Sequence, residues 1–344
     1  MKILQVCLSY HPEIGGVEKH VSLISKELAK KHEVRILCTT KTPAGFEKSG
    51  VSMDGKITIE RVPYKKLGYT PEMTGRIKSF KADAVHVHNY STFQPFIVSK
   101  SVDKYVFTPH FHEQGKKPLI VRKFFDALFG HPSLRKASHL ITVSDYEKKL
   151  LKPFNNSITT IPNPLELDKF SRIKKKTWNN HVLFIGRLEA YKNVDTLIKS
   201  VKTLSGIQLT ILGSGPDEQR LKKTAGGDAR IRFLGWVDEK KLLNTLAKAD
   251  VLVNLSGKEA FGIVFSQALA SGTPCIALDK GAVPTIFEKS ILYSKNDVQD
   301  VSQKIQMVLQ DPQLKNRLVD NGKKIVKNFD PKRVAEQTLK VYKT

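Results

Sequence analysis

The sequence predicts an α/β protein made of two consecutive domains, each a parallel sheet wrapped by helices. The chain has 344 residues, more than one ordinary hydrophobic core organises and a comfortable length for two domains. Short Val/Ile/Leu-rich runs alternate with amphipathic segments from end to end, the pattern of buried parallel strands joined by helical crossovers. One interruption, Pro162-Asn163-Pro164 and the basic, turn-prone stretch to Asn180, splits the alternation into two series. It marks a hinge between domains at 1–165 and 172–329.

In the first series the expected strands are 2–8, 33–38, 57–63, 83–88, 104–108, 139–143 and 157–161. In the second they are 181–186, 207–212, 230–234, 250–254 and 274–277, with helices near 192–204, 217–225, 239–248 and 262–270. Beyond Asp297 the chain reads as helical, ending in a helix from Pro331 to Tyr342, where proline suits the first helical position. Val334, Thr338, Val341 and Tyr342 share one face of that helix and must be buried somewhere. No repeat of fixed period is present.

Hydrophobic residues make up 40% of the chain without a run of about eighteen, so no membrane-spanning helix is expected. The first strand begins at Lys2, which argues against a signal peptide and, with the cysteine usage, for a cytoplasmic location. Cys7, Cys38 and Cys275 each sit in an apolar run with neither disulfide-framework nor metal-ligand spacing. The formal charge of +24 is shared by both halves and favours anionic partners: phosphates, nucleic acid or an acidic lipid surface. Zinc-finger spacing, an RRM-type aromatic signature and a recognition-helix pattern are all missing, so a nucleic-acid-binding protein is the weaker reading.

In open α/β sheets ligands bind beyond the carboxyl ends of strands, so the turns there are the places to look. After the first strand, Ile14-Gly15-Gly16-Val17-Glu18 opens a helix, and bare amides at Gly16 can approach a phosphate oxygen; a plain turn gives the same sequence. In the second series Gly186-Arg187 and Lys192-Asn193 put two cations beyond a buried strand, where they can neutralise a diphosphate. Leu212-Gly213-Ser214-Gly215-Pro216 leaves room for a flat ligand, and Phe233-Leu234-Gly235-Trp236-Val237 offers backbone groups to a nucleobase edge. The fourth strand leads into Gly257 to Gln267. There Glu259 stands before a helix whose first amides, at Phe261, Gly262, Ile263 and Val264, face the same way as the carboxylate, a combination able to grip sugar hydroxyls. Gln267 lies a little over two turns on, on nearly the same side. Glu259 could instead be a favourable charge at a helix start.

These segments, in this order and over essentially the whole chain, resemble those of retaining GT-B glycosyltransferases of family four. The resemblance implies two Rossmann-like domains facing a central cleft, with an acceptor-side first domain and a nucleotide-sugar-binding second. It places Gly16 at the donor phosphate, Arg187 and Lys192 at the pyrophosphate, and Glu259 at the transferred sugar, near the amides of Phe261, Gly262 and Ile263. Gly213 and Val237 fall on the donor side. Gln267 departs from the family, whose second acid at that point holds the ribose; Pro164 stands where the hinge often has glycine. His110, in Thr108-Pro109-His110-Phe111-His112, is similar to the family's histidine near the anomeric centre, with a role in holding the sugar or shuttling a proton. His86 and His88 also end a strand and read better as buried structural histidines. No D-x-D motif is present, in keeping with a family that needs neither metal nor cofactor: cations and helix dipoles neutralise the leaving group. In the family the final helix, 330–344 here, returns to pack on the first domain.

The resemblance implies a hexose-type sugar, a nucleotide-diphosphate donor and a glycan or lipid acceptor. A GT-B epimerase acting on the donor alone is the alternative within enzymes. The segment 116–130, rich in Phe and Leu with clustered Lys and Arg and bounded by Pro118 and Gly130, reads as a helix for an anionic membrane surface, giving a peripheral position at its inner face. A helix packed on the first-domain sheet explains the same pattern.

Overall fold

The computed structural model describes residues 1–10, 15–42, 45–65, 72–111, 119–175 and 180–344. The chain divides into two compact units, Met1–Pro164 with Asp330–Thr344, and Leu165–Phe329. The second unit thus begins at Leu165 rather than 172, because the short helix Leu167–Ser171 buries Phe170 there.

The first unit contains β1 (Lys2–Val6), β2 (Glu33–Thr39), β3 (Lys41–Thr42), β4 (Gly45–Phe46), β5 (Gly50–Asp54), β6 (Ile57–Val62), β7 (Ala84–His88), β8 (Val106–Thr108), β9 (His139–Thr142) and β10 (Ile158–Thr160). Its helices are α1 (Gly16–Leu28), α2 (Glu72–Phe80), α3 (Gln94–Ser101), α4 (Leu119–Phe125), α5 (His131–Lys136) and α6 (Asp145–Leu151). Eight strands form one sheet in the order β10-β9-β8-β7-β1-β2-β6-β5, parallel except for β5, and β3 pairs only with β4. Strand alternation sorts β1 onto two cores: Ile3 packs with the residues of α1, Leu4 and Val6 with those of α2 and α3.

The second unit contains α7 (Leu167–Ser171), β11 (His181–Ile185), α8 (Val194–Lys202), β12 (Gln208–Leu212), α9 (Glu218–Ala225), β13 (Ile231–Gly235), α10 (Glu239–Lys248), β14 (Val251–Asn254), α11 (Ile263–Ala270), β15 (Cys275–Leu278), α12 (Val283–Phe287), β16 (Leu292–Ser294), α13 (Val298–Gln310) and α14 (Pro312–Ile325). Its six strands are all parallel, in the order β13-β12-β11-β14-β15-β16. Chain direction across the sheet reverses between β11 and β14 here, and between β1 and β7 in the first unit. Those two switch points are where a doubly wound sheet opens a crevice for ligands.

Aspartate caps start the last helices. Asp297 and Asp311 accept from first-turn amides of α13 and α14, and Asp330 does so for α15 (Pro331–Tyr342), with proline in the first turn of α14 and α15. Helix α15 packs on α1 in the first unit, burying Val334, Ala335, Val341 and Tyr342. Where the chain enters and leaves the second unit, the Leu165 amide donates to the Phe329 carbonyl at 2.8 Å. All three cysteines are free and buried.

Three expectations need correcting. Strand β5 alternates Val51 and Met53 with Gly50, Ser52 and Asp54, but both apolar side chains are exposed; antiparallel pairing with β6 across a turn at Gly55, whose φ is +60°, holds it. Strand β16 is too short to show a period. Gly130 does not end the helix of the basic segment: a π-helical turn at Asp126–Gly130 carries it into α5, and Gly130 is kept because a Cβ there would meet the Tyr90 ring. Ile14, His112 and residues 115–118 lie outside the described residues.

Candidate functional site

In the second unit the turns after β11, β12 and β14 are built on one another. The Gly186 amide donates to the Leu212 carbonyl at 3.0 Å and the Leu188 amide to the Ser214 carbonyl at 3.0 Å. Gly213 has a φ of +124°, and a Cβ on it would lie 1.9 Å from the Gly186 oxygen; one on Gly215 would lie 2.3 Å from the Leu188 oxygen. The two glycines are therefore required by the neighbouring backbone itself. Gly235, at a φ of +65°, accepts from the Gly213 amide at 2.7 Å, which ties the turn after β13 to the one after β12. Val237 beside it is half-buried, and Trp236 is 70% exposed.

At the switch point between β11 and β14, Lys192 and Glu259 meet as an ion pair, their side chains 11% and 15% exposed. Asn193 makes the turn that brings Lys192 there, adopting the left-handed conformation that asparagine tolerates and donating through Nδ2 to the Leu255 carbonyl at 2.8 Å. Asn254, ending β14, ties the two strands by donating to the Ile185 carbonyl at 3.0 Å. Arg187 is more open, with 62% of its side chain exposed and Glu189 3.1 Å away. Both Lys192 and Lys258 approach the ring of Tyr191, at 5.1 and 5.6 Å from its centroid. Burial, then Glu189, pushes the Tyr191 hydroxyl up to about 12, so it stays protonated.

Gly262 caps helix α11 with a φ of +91°, and a Cβ there would strike the Phe265 ring. The following amides, at Ile263 and Val264, lie in the first turn, where no helical acceptor is available. The Phe261 side chain is not part of any open surface: it is buried against Phe287 and Phe329. Ile263, Val264 and Gln267 form the partly exposed stripe of α11 while the residues between them are buried. Gln267 thus lies on the partly exposed face of α11.

In the first unit Gly16 starts α1 with Gly15 as its cap. The Glu18 carboxylate folds over this end, held by the Ser9 hydroxyl at 2.8 Å and placed where a Cβ on Gly15 would be. His110, half-buried with a φ of +49°, follows β8. Its loop is pinned from both sides: the Tyr90 amide donates to the Pro109 carbonyl at 2.7 Å, and the Phe111 amide to the Glu147 carboxylate at 2.6 Å. The same carboxylate accepts from the Val143 amide at 2.7 Å, yet complete burial pushes its pKa up to about 7.

His86 and His88 lie inside the sheet. His86 is fully engaged, with Tyr342 Oη and Thr108 Oγ1 each at 2.7 Å. His88 Nε2 donates to Gln5 Oε1 at 2.8 Å, and Gln5 donates to Tyr342 Oη at 2.9 Å. The hydroxyl of α15 therefore completes a buried polar chain across β1, β7 and β8. His20, on α1, meets Asn163 Oδ1 through Nδ1 at 2.7 Å, and its ring lies edge-on to His110 with centroids 4.8 Å apart. Burial lowers the pKa of His20 to about 4 and drives those of His86 and His88 well below the usual imidazole value, so all three are neutral at pH 7.

The structure brings together Lys192 and Glu259, with Arg187 beyond the same strand as Lys192, and separately gathers His110 with His20 and His88. Sequence reading missed Tyr191, Asn193, Glu147 and His20. Only Asn193 carries a local signal, as an asparagine between a turn and a helix; the others act through contacts distant in sequence.

A sequence model described as Glycosyltransferase Family 4 matches residues 14–169, and one described as Glycosyl transferases group 1 matches residues 167–325. The phosphatidyl-myo-inositol mannosyltransferase of Mycobacterium leprae is 27% identical, over 100% of this chain and 97% of its own. Sucrose-phosphate synthase from Thermosynechococcus elongatus has a TM-score of 0.77 at 21% identity, covering 100% of this chain and 98% of its own. Anabaena HepE in complex with UDP has a TM-score of 0.77 at 16% identity, covering 100% of both chains. With both halves matched in order and the fold shared throughout, the chain belongs to the group 1 glycosyltransferases of GT-B fold.

Proposed function

We propose that this enzyme moves a hexose-type sugar, with retention at the anomeric carbon, from a nucleoside-diphosphate sugar to a lipid or lipid-linked glycan. The observation that carries the reading is the grouping of Arg187, Lys192 and Glu259 beyond the two strands that flank the second unit's switch point. Two cations there meet a diphosphate, and a carboxylate beside the first-turn amides of α11 meets sugar hydroxyls and phosphate oxygens. Gly16, Gly213, Val237, Phe261, Gly262, Ile263 and Gln267 complete the donor side, the last through its amide in place of a carboxylate. UDP bound to the Anabaena neighbour supports a nucleotide donor, and the mannosyltransferase relative supports a lipid acceptor.

The acceptor hydroxyl oxygen bonds the anomeric carbon on the face from which the diphosphate leaves. The breaking C–O pair stays with the diphosphate, whose oxygen takes the hydroxyl proton. Arg187 and Lys192 stabilise the charge that develops, and His110 positions the sugar or relays a proton. No metal takes part, so transfer is expected to survive a chelator. Replacing Lys192 by Ala should lower kcat about 100-fold or more; unchanged transfer in both Arg187→Ala and Lys192→Ala would remove the assignment. A screen of UDP-, GDP- and ADP-sugars for protection against thermal unfolding identifies the base, because a bound donor stabilises by mass action.

An anionic membrane surface is the proposed platform for the acceptor. Ile120, Val121, Phe124 and Leu128 are 83%, 50%, 64% and 48% exposed and recur at helical spacing, with Arg122 and Lys123 among them. Such a face suits lipid. Binding to liposomes should strengthen with acidic lipid, weaken with salt, and fall in the Ile120→Ser, Phe124→Ser double variant; indifference to all three would remove the idea. No described helix is long and apolar enough to cross a membrane.

A further inference from the structure

We propose that His20, His88 and His110 form a binding site for a zinc ion in the first unit, one that holds His110 out of the transfer reaction. One ring nitrogen from each of the three lies within 4.8 Å of the others. They come from three elements that converge on the switch point of that sheet: α1 after β1, the end of β7, and the loop after β8.

The hydrogen bonds on the far sides of two rings decide which nitrogens face the centre. Asn163 Oδ1 can only accept, so His20 carries its proton on Nδ1 and keeps a lone pair on Nε2. Gln5 Oε1 likewise draws the proton of His88 to Nε2, leaving a lone pair on Nδ1. That Nδ1 is buried and has no hydrogen-bond partner among the described residues. A ligating histidine ordinarily donates its other N–H to an oxygen acceptor that fixes its tautomer, and Asn163 and Gln5 stand in those positions. His86, its ring centroid 4.1 Å from that of His88, is excluded as a ligand because both of its nitrogens are occupied.

The donor set selects the ion. Three imidazoles without a carboxylate suit zinc and its neighbours in the first transition row, and are a poor match for magnesium or manganese. Zinc–nitrogen bonds of about 2.0–2.1 Å in a tetrahedron bring ligand nitrogens to roughly 3.4 Å from one another, so nitrogens up to 4.8 Å apart must draw together by up to about 1.4 Å. With its backbone pinned on both sides, His110 supplies that movement by turning its ring about the side-chain bonds. A three-ligand site leaves one position open to water or to an acceptor hydroxyl.

The inhibitory consequence rests on the role proposed above for His110; the binding itself does not. The test is equilibrium titration of the full-length chain, freed of metal with a chelator, with zinc against a chromogenic chelator. One zinc per chain is expected, with at least a tenfold loss of affinity in His20→Asn and in His88→Gln. Each of these keeps an amide N–H where the second hydrogen bond is made and removes the facing lone pair. His32→Gln should bind as the parent does, and circular dichroism checks that the variants fold. Should one fail to fold, the other and the absorption of a bound cobalt probe still report the site. No stoichiometric binding, or affinity unchanged in every folded variant, overturns the proposal. In the transfer assay zinc should inhibit and a chelator restore activity; zinc bound without inhibition overturns the claim about His110 alone.

Discussion

Gly213, on the proposed donor side, is required by the fold in its own right. An added Cβ would overlap a backbone oxygen that cannot swing away, and its φ of +124° is itself unfavourable to a side chain. Gly213→Ala should therefore destabilise the second unit by about 2 kcal/mol or more. Gly206→Ala, with a φ of +68° but open space around the Cβ, should cost only about 1 kcal/mol. Urea unfolding of the two variants makes the comparison, and equal losses would mean that the contact with Gly186 is not what requires the glycine. Glu147 is the second case. Its carboxyl titrates near 4.5 when unfolded and is raised to about 7 in the fold by burial. The folded chain thus holds the extra proton, so this group's stabilising contribution is full below pH 4.5 and is lost as pH rises through about 7. The stability difference between the parent and Glu147→Gln should shift against the parent over that window, and a difference constant in pH would contradict the raised value.

At the scale of elements, α15 joins the end of the chain to the first unit. Its apolar stripe closes the core around Ile3 and Ile24, and its Tyr342 hydroxyl serves both Gln5 and His86. Removing residues 331–344 leaves those buried groups unpaired, at about 1–3 kcal/mol each, in addition to the lost apolar burial. Limited proteolysis of the truncated chain should cut within 1–164 and spare 165–329; equal resistance of both units would show that α15 is dispensable to its core. The stripe was legible in the sequence from its helical period, and the parallel strands from their Val and Ile runs. Strand β5 was not, because its alternation rests on only two apolar residues, Val51 and Met53, both exposed, and backbone pairing to β6 holds it. The helix through Gly130 was misread for a related reason: glycine usually ends a helix, but here it makes room for Tyr90.

For the whole molecule, two doubly wound sheets each gather polar and charged side chains at their own switch point: cations and a carboxylate in the second unit, histidines in the first. The order of turns after strands made Arg187, Lys192 and Glu259 legible, because those positions follow from topology. The His20 cluster was not, since its members are scattered along the chain and only the pairing of β1, β7 and β8 assembles them. The central claim is acceptor-dependent sugar transfer with retention. Its most direct test is to incubate the enzyme and the stabilising nucleotide sugar with and without liposomes carrying a panel of lipid acceptors, and to follow nucleoside diphosphate release and the anomeric NMR signal of the product. The account predicts release that depends on the liposomes, a product with the donor's anomeric configuration, and loss of both in Lys192→Ala. Acceptor-independent conversion of the donor, or an inverted product, would contradict it.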